Sequence, residues 1–255
     1  MWSPRCGIAP SGPHALSEPM LDCISVENMR RSDALTIERY VPSLELMGRA
    51  AMGVYLANDW KGPVAIVAGS GNNGGDGFAL ACILKEKGIR CEVLTLSEKL
   101  SADSAFYAEK ARKIDVKVSP FTPECLTGFA TVVDCLLGTG FKGALREAYR
   151  VAIEAINACG AFVISVDINS GMNGDTGECE LAVRSDLTVT IGYVKHGLVT
   201  ENAGRHMKRL VCADIGIVLE REERKLLTES EWQQHHGENC QLAPAWLEMQ
   251  TISVL

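Results

Sequence analysis

The feature that most constrains this chain is Val64-Ala65-Ile66-Val67-Ala68 running into Gly69-Ser70-Gly71-Asn72-Asn73-Gly74-Gly75-Asp76-Gly77. An unbroken apolar run of this length reads as a strand buried on both faces, which belongs in a parallel sheet covered by helices on both sides. Behind the glycines, Phe78-Ala79-Leu80-Ala81-Cys82-Ile83-Leu84-Lys85 reads as a helix. A strand, a glycine-rich turn and a helix bring backbone N–H groups and a helix N-terminus up to an anionic ligand. The glycines are expected to supply positive φ angles and close backbone approach, which side chains forbid. Ligand binding at this turn is the first expectation.

The same alternation continues along the chain. Ser25 is placed to cap a helix reaching Arg39, with Val26, Met29, Leu35 and Ile37 as an imperfect apolar face. Pro42 opens a second helix over 43–60, apolar on most sides and therefore expected to be buried against a sheet or a second subunit. Strands are predicted at 91–96, 116–118, 131–134, 162–167, 187–191 and 210–213, and helices at 101–113 and 146–159. Apolar runs alternating with amphipathic helices give an α/β fold, a Rossmann-like three-layer α/β/α sandwich with a mostly parallel central sheet. Residues 1–22, rich in proline, read as a flexible N-terminal extension whose Met20 is a possible start. Residues 23–220 read as the folded domain, and 221–255 as a charged, peripheral C-terminal tail.

Composition narrows the function classes. A net charge of −7 leaves no basic footprint for nucleic acid or an anionic membrane surface. No apolar stretch reaches the length of a membrane span. The ten cysteines include no C-x-x-C pair, and Cys82, Cys91, Cys135, Cys159 and Cys212 fall inside apolar patterns. Reduced, buried thiols in a cytoplasmic protein are expected.

Three strand ends carry polar signatures where an open parallel sheet binds its ligands. The first holds Asn72, Asn73, Gly74, Gly75 and Asp76. The second holds Asp134, then Gly138, Thr139, Gly140, Phe141, Lys142, Gly143 and Ala144. The third holds Asp167, Ile168, Asn169, Ser170 and Gly171. Gly69, Gly71 and Gly74 also satisfy G-x-G-x-x-G, so an NAD-dependent oxidoreductase is an alternative. Against it, Asp76 would crowd a pyrophosphate, and the 91–96 strand has no acid at its tip for a ribose hydroxyl. A P-loop is excluded because no Gly-Lys-Ser/Thr follows the glycines.

Together, Gly69 to Gly77, Asp134-Cys-Leu-Leu-Gly-Thr-Gly140 and Ser165-Val-Asp-Ile-Asn-Ser-Gly171 resemble the NAD(P)H-hydrate epimerase family (YjeF N-terminal domain). The likeness extends upstream to Asn28-Met-Arg-Arg-Ser-Asp33 and Pro42-Ser-Leu-Glu-Leu-Met47. Downstream it includes Lys195-His-Gly-Leu198 and Asp214-Ile-Gly-Ile217. The resemblance implies an isomerase of cofactor repair that interconverts the R and S epimers of NADHX and NADPHX, whose reduced ring is hydrated at C6. It implies substrate contacts from Asn72, Asn73, Gly74, Gly75, Asp76, Gly138, Thr139, Gly140, Phe141, Lys142, Gly143, Ala144 and Asp167. A potassium ion is implied at Asn73, Asp134 and Ser170, and a homodimer is implied as well.

These residue types suit those roles. Potassium is a hard cation served by amide, carboxylate and hydroxyl oxygens. Lys142 can meet a phosphate, or stand as a solvated loop lysine. Asp167 is the candidate acid and then base for loss and return of the hydroxyl, its bland reading being a turn cap. Asp76 has a bland reading as an acid complementing a helix dipole. Two departures from the family pattern stand out: Asn169 where many members have Pro, and Gly48-Arg49 where many have Glu-Asn. Relatives often fuse this domain to a dehydratase acting on the S epimer. The residues after Arg221 are too few for one, so a separate dehydratase is the expected functional partner, unless the chain is a truncated form. A non-catalytic dimerising scaffold on the same fold is the rival class, and it would not need the strand-end residues kept here.

Overall fold

A computed structural model describes residues 21–223, 225–226 and 249–254 of the chain. Residues 1–20 of the extension expected over 1–22, and the His235-His236 pair, lie outside the described residues. As far as β6, the expected alternation is present as α1 (Val26–Arg39), α2 (Ser43–Leu56), β2 (Val64–Ala68), α3 (Asn72–Glu86), β3 (Cys91–Thr95), α4 (Ala102–Lys113), β4 (Lys117–Pro120), β5 (Thr131–Cys135), α5 (Glu147–Ala158) and β6 (Phe162–Val166). A short strand β1 (Leu21–Ile24) precedes them. After them come β7 (Leu187–Ile191), β8 (Val194–Lys195), the single-turn α6 (Glu201–Gly204), β9 (Leu210–Asp214), β10 (Lys225–Leu226) and β11 (Gln250–Ser253).

The main sheet has eight strands in the order β11-β9-β7-β6-β5-β2-β3-β4, and every neighbouring pair is parallel. From β4 to β7 this is the doubly wound 3-2-1-4-5-6 order, whose direction of winding reverses between β2 and β5. Side chains alternate across β2. Val64, Ile66 and Ala68 join the core under α2, α3 and α4, while Ala65 and Val67 join the core under α5 with Ile153 and Ile156. Both faces need apolar residues, so the strand reads as continuous and not alternating. The apolar face of α2 lies on the sheet and on α3, where Gly53 lets it approach Ala213 of β9.

Three sequence expectations need correction. First, α3 begins at Asn72, so the amide-rich string forms its first turns and is not a loop before it. Second, none of the glycines in that string has a positive φ. Their requirement is close approach: a Cβ on Gly69 would stand 2.0 Å from the Leu136 carbonyl oxygen, and one on Gly74 would stand 2.1 Å from the Gly69 carbonyl oxygen. Third, the segments flanking 23–220 contribute to the fold. Leu21–Ile24 pairs with both β8 and β10, and Gln250–Ser253 is the edge strand beside β9.

Helix α1 shows how the end of the domain is held. Its buried stripe is polar, with Asn28, Ser32 and Thr36 at helical spacing. Thr36 Oγ1 accepts from Val218 N, Ser32 Oγ accepts from Glu220 N, and Asn28 Nδ2 donates to Arg221 O. These buried side chains satisfy backbone groups of 218–221 that have no sheet partner.

Gly69→Ala is expected to lower stability by about 1–3 kcal/mol, because the new methyl meets a carbonyl in two already packed backbones. Gly71→Ala, with open space at its Cβ, should change stability by no more than about 0.5 kcal/mol. Urea unfolding monitored by circular dichroism compares the two.

Candidate functional site

A cavity of about 620 Å³ opens at the carboxyl end of the sheet, at the β2/β5 switch point, within the range of small-molecule sites. Asn72, Asn73 and Asp76 of α3 line it on one side. Gly138, Thr139, Gly140, Phe141, Lys142 and Ala144 line it from the β5–α5 connection, and Asp167 comes from the end of β6. Gly74 and Gly75 are buried behind this wall, where Gly75 lies against Met47 and Ser104. Gly143, with φ +83°, shapes the β5–α5 turn. Lys142 is an exposed residue on the rim.

Asp134 and Ser170 sit behind the cavity wall, fully buried. Asp134 is a hub: one carboxylate oxygen accepts from Leu136 N (3.2 Å) and Ser170 Oγ (2.5 Å), the other from Ser170 N and Ser165 Oγ (both 3.0 Å). Burial raises its pKa above the usual carboxylate value, while these hydrogen bonds act in the opposite direction. Ser170 Oγ also accepts from Leu137 N at 2.9 Å and lies 3.2 Å from Leu137 O. The same carbonyl accepts from Asn73 Nδ2 at 2.9 Å.

Asn73, Asp134 and Ser170 thus meet around Leu137. The Oδ1 atom of Asn73 is buried without a hydrogen-bond partner among the described residues. A buried amide oxygen left unsatisfied is costly unless something fills its coordination. The local donors are all oxygen and carry one net negative charge, which suits a hard monovalent cation.

Asp167 adopts a left-handed backbone (φ +69°), which Asp tolerates better than most residues. The twist turns its carboxylate into the cavity, where Oδ2 accepts from Thr139 N at 3.2 Å. Oδ1 is ion-paired at 2.5 Å with the Nζ of Lys195. Lys195 is completely buried, and its ammonium also donates to Thr190 Oγ1 (3.1 Å) and Ile191 O (2.7 Å). Gly138 is small where it must be, since a Cβ there would lie 2.9 Å from Asp167 Oδ2.

The pair Lys195-His196 looks in the sequence like loop charges, and the structure separates the two. His196 is at the surface beside Glu223, whereas Lys195 is part of the site. The signal was its position after Val194 in an apolar stretch, because a lysine that cannot reach water must find an anion. Asp33 of α1, the last residue of the Asn28–Asp33 string, and Asp103 of α4, which no motif announced, also line the cavity.

Asp76 is partly buried and has no hydrogen bond or ion pair among the described residues. Burial pushes its pKa well above the ordinary carboxylate range; the charges of Asp167 and Asp33 add to the rise and Lys195 opposes it. Asp33 is raised for the same first reason, burial. The cavity therefore holds the ion-paired Asp167 together with Asp76, which has no such partner, and with Asp33 and Asp103.

Asn169 does not reach the ligand space. Its amide donates to Val183 O, Ser185 Oγ and His206 O, all at 3.0 Å, and accepts from Thr188 Oγ1, so it anchors the loop after β6. Arg49 points away from the cavity, bonding Ile215 O and Glu45, and α2 reaches the site through Ser43, Leu46, Met47 and Ala50 instead.

Residues 43–197 match the family model described as YjeF-related protein N-terminus. The chain belongs to this family. It is 37% identical over 199 residues to the NAD(P)H-hydrate epimerase of Limosilactobacillus fermentum, covering 75% of this chain and 95% of that protein. A protein of the same name from Rhodopirellula baltica is 37% identical over 216 residues, covering 80% and 87%. The bifunctional NAD(P)H-hydrate repair enzyme Nnr of Archaeoglobus fulgidus is 38% identical over 175 residues, which is 68% of this chain and 36% of that longer protein. The crystal structure of yeast YNL200c shares the fold, with a TM-score of 0.60 at 22% identity, over 69% of this chain and 83% of the yeast chain.

Lys195→Met is expected to cost about 3–5 kcal/mol at neutral pH by stranding the Asp167 charge. Adding Asp167→Asn to Lys195→Met should recover much of that loss. A double-mutant cycle by chemical denaturation measures the coupling.

Proposed function

We propose that this chain is an NAD(P)H-hydrate epimerase, an isomerase interconverting the R and S epimers of NADHX and NADPHX. The observation that carries the reading is convergence: the α3 amides, the β5–α5 loop and Asp167 share one cavity at the switch point. They do so in a family whose similar members bear that name. The cavity suits a nucleotide. The first N–H groups of α3 lack intrahelical partners, and the flexible glycines of the β5–α5 loop expose more backbone N–H groups to a phosphate. Lys142 at the rim adds positive charge.

The ring substrate is hemiaminal-like at C6. Loss of its hydroxyl is assisted by the ring nitrogen, and water returning to the opposite face gives the other epimer. Asp167 is the acid/base group of this reading, and its ion pair with Lys195 holds the carboxylate in place at the cavity. Lys195 orients that carboxylate and Thr139 N–H holds its second oxygen.

Potassium is the cation assigned to Asn73, Asp134 and Ser170, with the Leu137 carbonyl as a further oxygen. Bound there, it would supply positive charge against Asp134 and the substrate phosphates; Asn73 would offer its unpartnered Oδ1, and Ser170 fixes Asp134. Homodimerisation belongs to the same reading through the resemblance; the apolar face of α2 no longer argues for it, being covered by the sheet. The functional partner is a dehydratase that consumes the S epimer, in keeping with the bifunctional repair enzymes among the relatives. A cytoplasmic setting fits the free cysteines among the described residues. No helix among those residues is long and apolar enough to cross a membrane.

Purified protein mixed with one epimer of NADHX should generate the other faster than the uncatalysed control, as read by chromatography. Replacing potassium by sodium should slow it. An epimer ratio that follows the control in both salts overturns the activity. Asp167→Asn should reduce kcat by about 10²–10⁴-fold, the usual worth of a positioned proton-transfer group.

A further inference from the structure

We infer that Asp76 is the proton donor to the departing hydroxyl, a catalytic group separate from Asp167, an assignment that rests on the epimerase reading above. A reaction that removes a hydroxyl from one face of a ring and returns water to the other needs a proton delivered on one side and accepted on the other. A single carboxylate serves both faces only if the ring or the side chain turns over between the steps. Four carboxyl groups line the cavity, Asp33 on α1, Asp76 on α3, Asp103 on α4 and Asp167 after β6, so the two that the strand-end strings supply, Asp76 and Asp167, stand on different elements.

Their surroundings divide the roles. Both oxygens of Asp167 are engaged as acceptors, one by the Lys195 ammonium and one by Thr139 N–H. In the direction described here it is the accepting group, and it donates only when the reaction runs the other way. The Asp76 side chain has no ion pair and no hydrogen bond among the described residues, and of the surrounding charges only Lys195 favours its charged form. Burial raises its pKa well above the usual range, and Asp167 and Asp33 raise it further. Two carboxyl groups in unlike settings are a common pattern of an acid and a base in one site. Asp76 also escapes the helix-dipole role: it lies beyond the first turn of α3, whose cap is Gly71.

The step balances without a redox partner. The Asp76 proton passes to the C6 hydroxyl oxygen; the C6–O bond breaks, its electron pair leaving on water, while the ring nitrogen lone pair forms the C=N bond. Water then forms a new C6–O bond on the opposite face and gives its proton to Asp167. The substrate gains one proton and loses one. Asp76 is left charged and Asp167 neutral beside Lys195, and proton exchange with bulk water resets both. The opposite epimer runs the same path with the two carboxyl groups exchanged.

The test is steady-state kinetics of the full chain with a single NADHX epimer in potassium buffer, each rate corrected for the uncatalysed reaction. Asp76→Asn keeps the shape of a neutral carboxyl, so a thermal midpoint equal to or above wild type is expected and a folding failure is not. Its kcat should fall at least about 100-fold with KM within about threefold. Asp76→Glu should restore part of the rate, because it returns a transferable proton at a slightly displaced position. A kcat for Asp76→Asn within about fivefold of wild type overturns the assignment. So does a larger kcat loss from Asp33→Asn, which would transfer the donor role to α1. A wild-type protein with no rate above the control removes the epimerase reading itself, which distinguishes the two failures.

Discussion

The site depends on one buried carboxylate. Asp134 closes β5 with no access to water, and such a group is tolerated only when its lone pairs are filled. Four donors from three places fill them: Leu136 just downstream, Ser165 on β6, and both the N–H and hydroxyl of Ser170 in the loop beyond. These bonds pin the ends of β5 and β6 to each other. Leu137 is carried along by its N–H bond to Ser170, and its carbonyl then fixes the Asn73 side chain at the start of α3. Three strand ends are placed by a single anion that does not line the cavity itself.

Close backbone contact at the switch point does the rest. The β2–α3 turn presses on the Leu136 peptide so tightly that Gly69 has no room for a Cβ, and α3 folds back onto the Gly69 carbonyl at Gly74. This draws the first turn of α3 toward the β5–α5 loop and leaves the cavity between them. Asp167 turns into that space through a left-handed residue, and Lys195 holds it there from the small strand pair β1–β8.

Much of this was legible in the sequence, because its causes are local. The apolar runs of β2, β5, β6 and β7 and the caps Ser25 and Ser101 mark their elements to within a residue or two, and both serines accept the expected N–H. The strand-end strings identified Asn73, Asp134 and Asp167 as residues of one edge. What stayed hidden depends on distant partners. The start of α3 at Asn72 was masked by glycines, which are poor helix formers alone but are required here by packing. Lys195 became part of the site only because β8 pairs with β1 and brings it under Asp167. The polar stripe Asn28, Ser32 and Thr36 looked like a weak amphipathic pattern, since its partner is the backbone of 218–221, almost two hundred residues away.

The strand Gln250–Ser253 has a consequence for behaviour in solution. It pairs with β9 in register from Val211 to Asp214. Were it detached, β9 would become the outermost ribbon of the sheet, an apolar segment with a row of vacant amide and carbonyl groups. Such borders recruit other chains and seed aggregation. The closing residues thus act as a guard rail, sealing the one flank of the sheet whose neighbouring strand is almost wholly apolar.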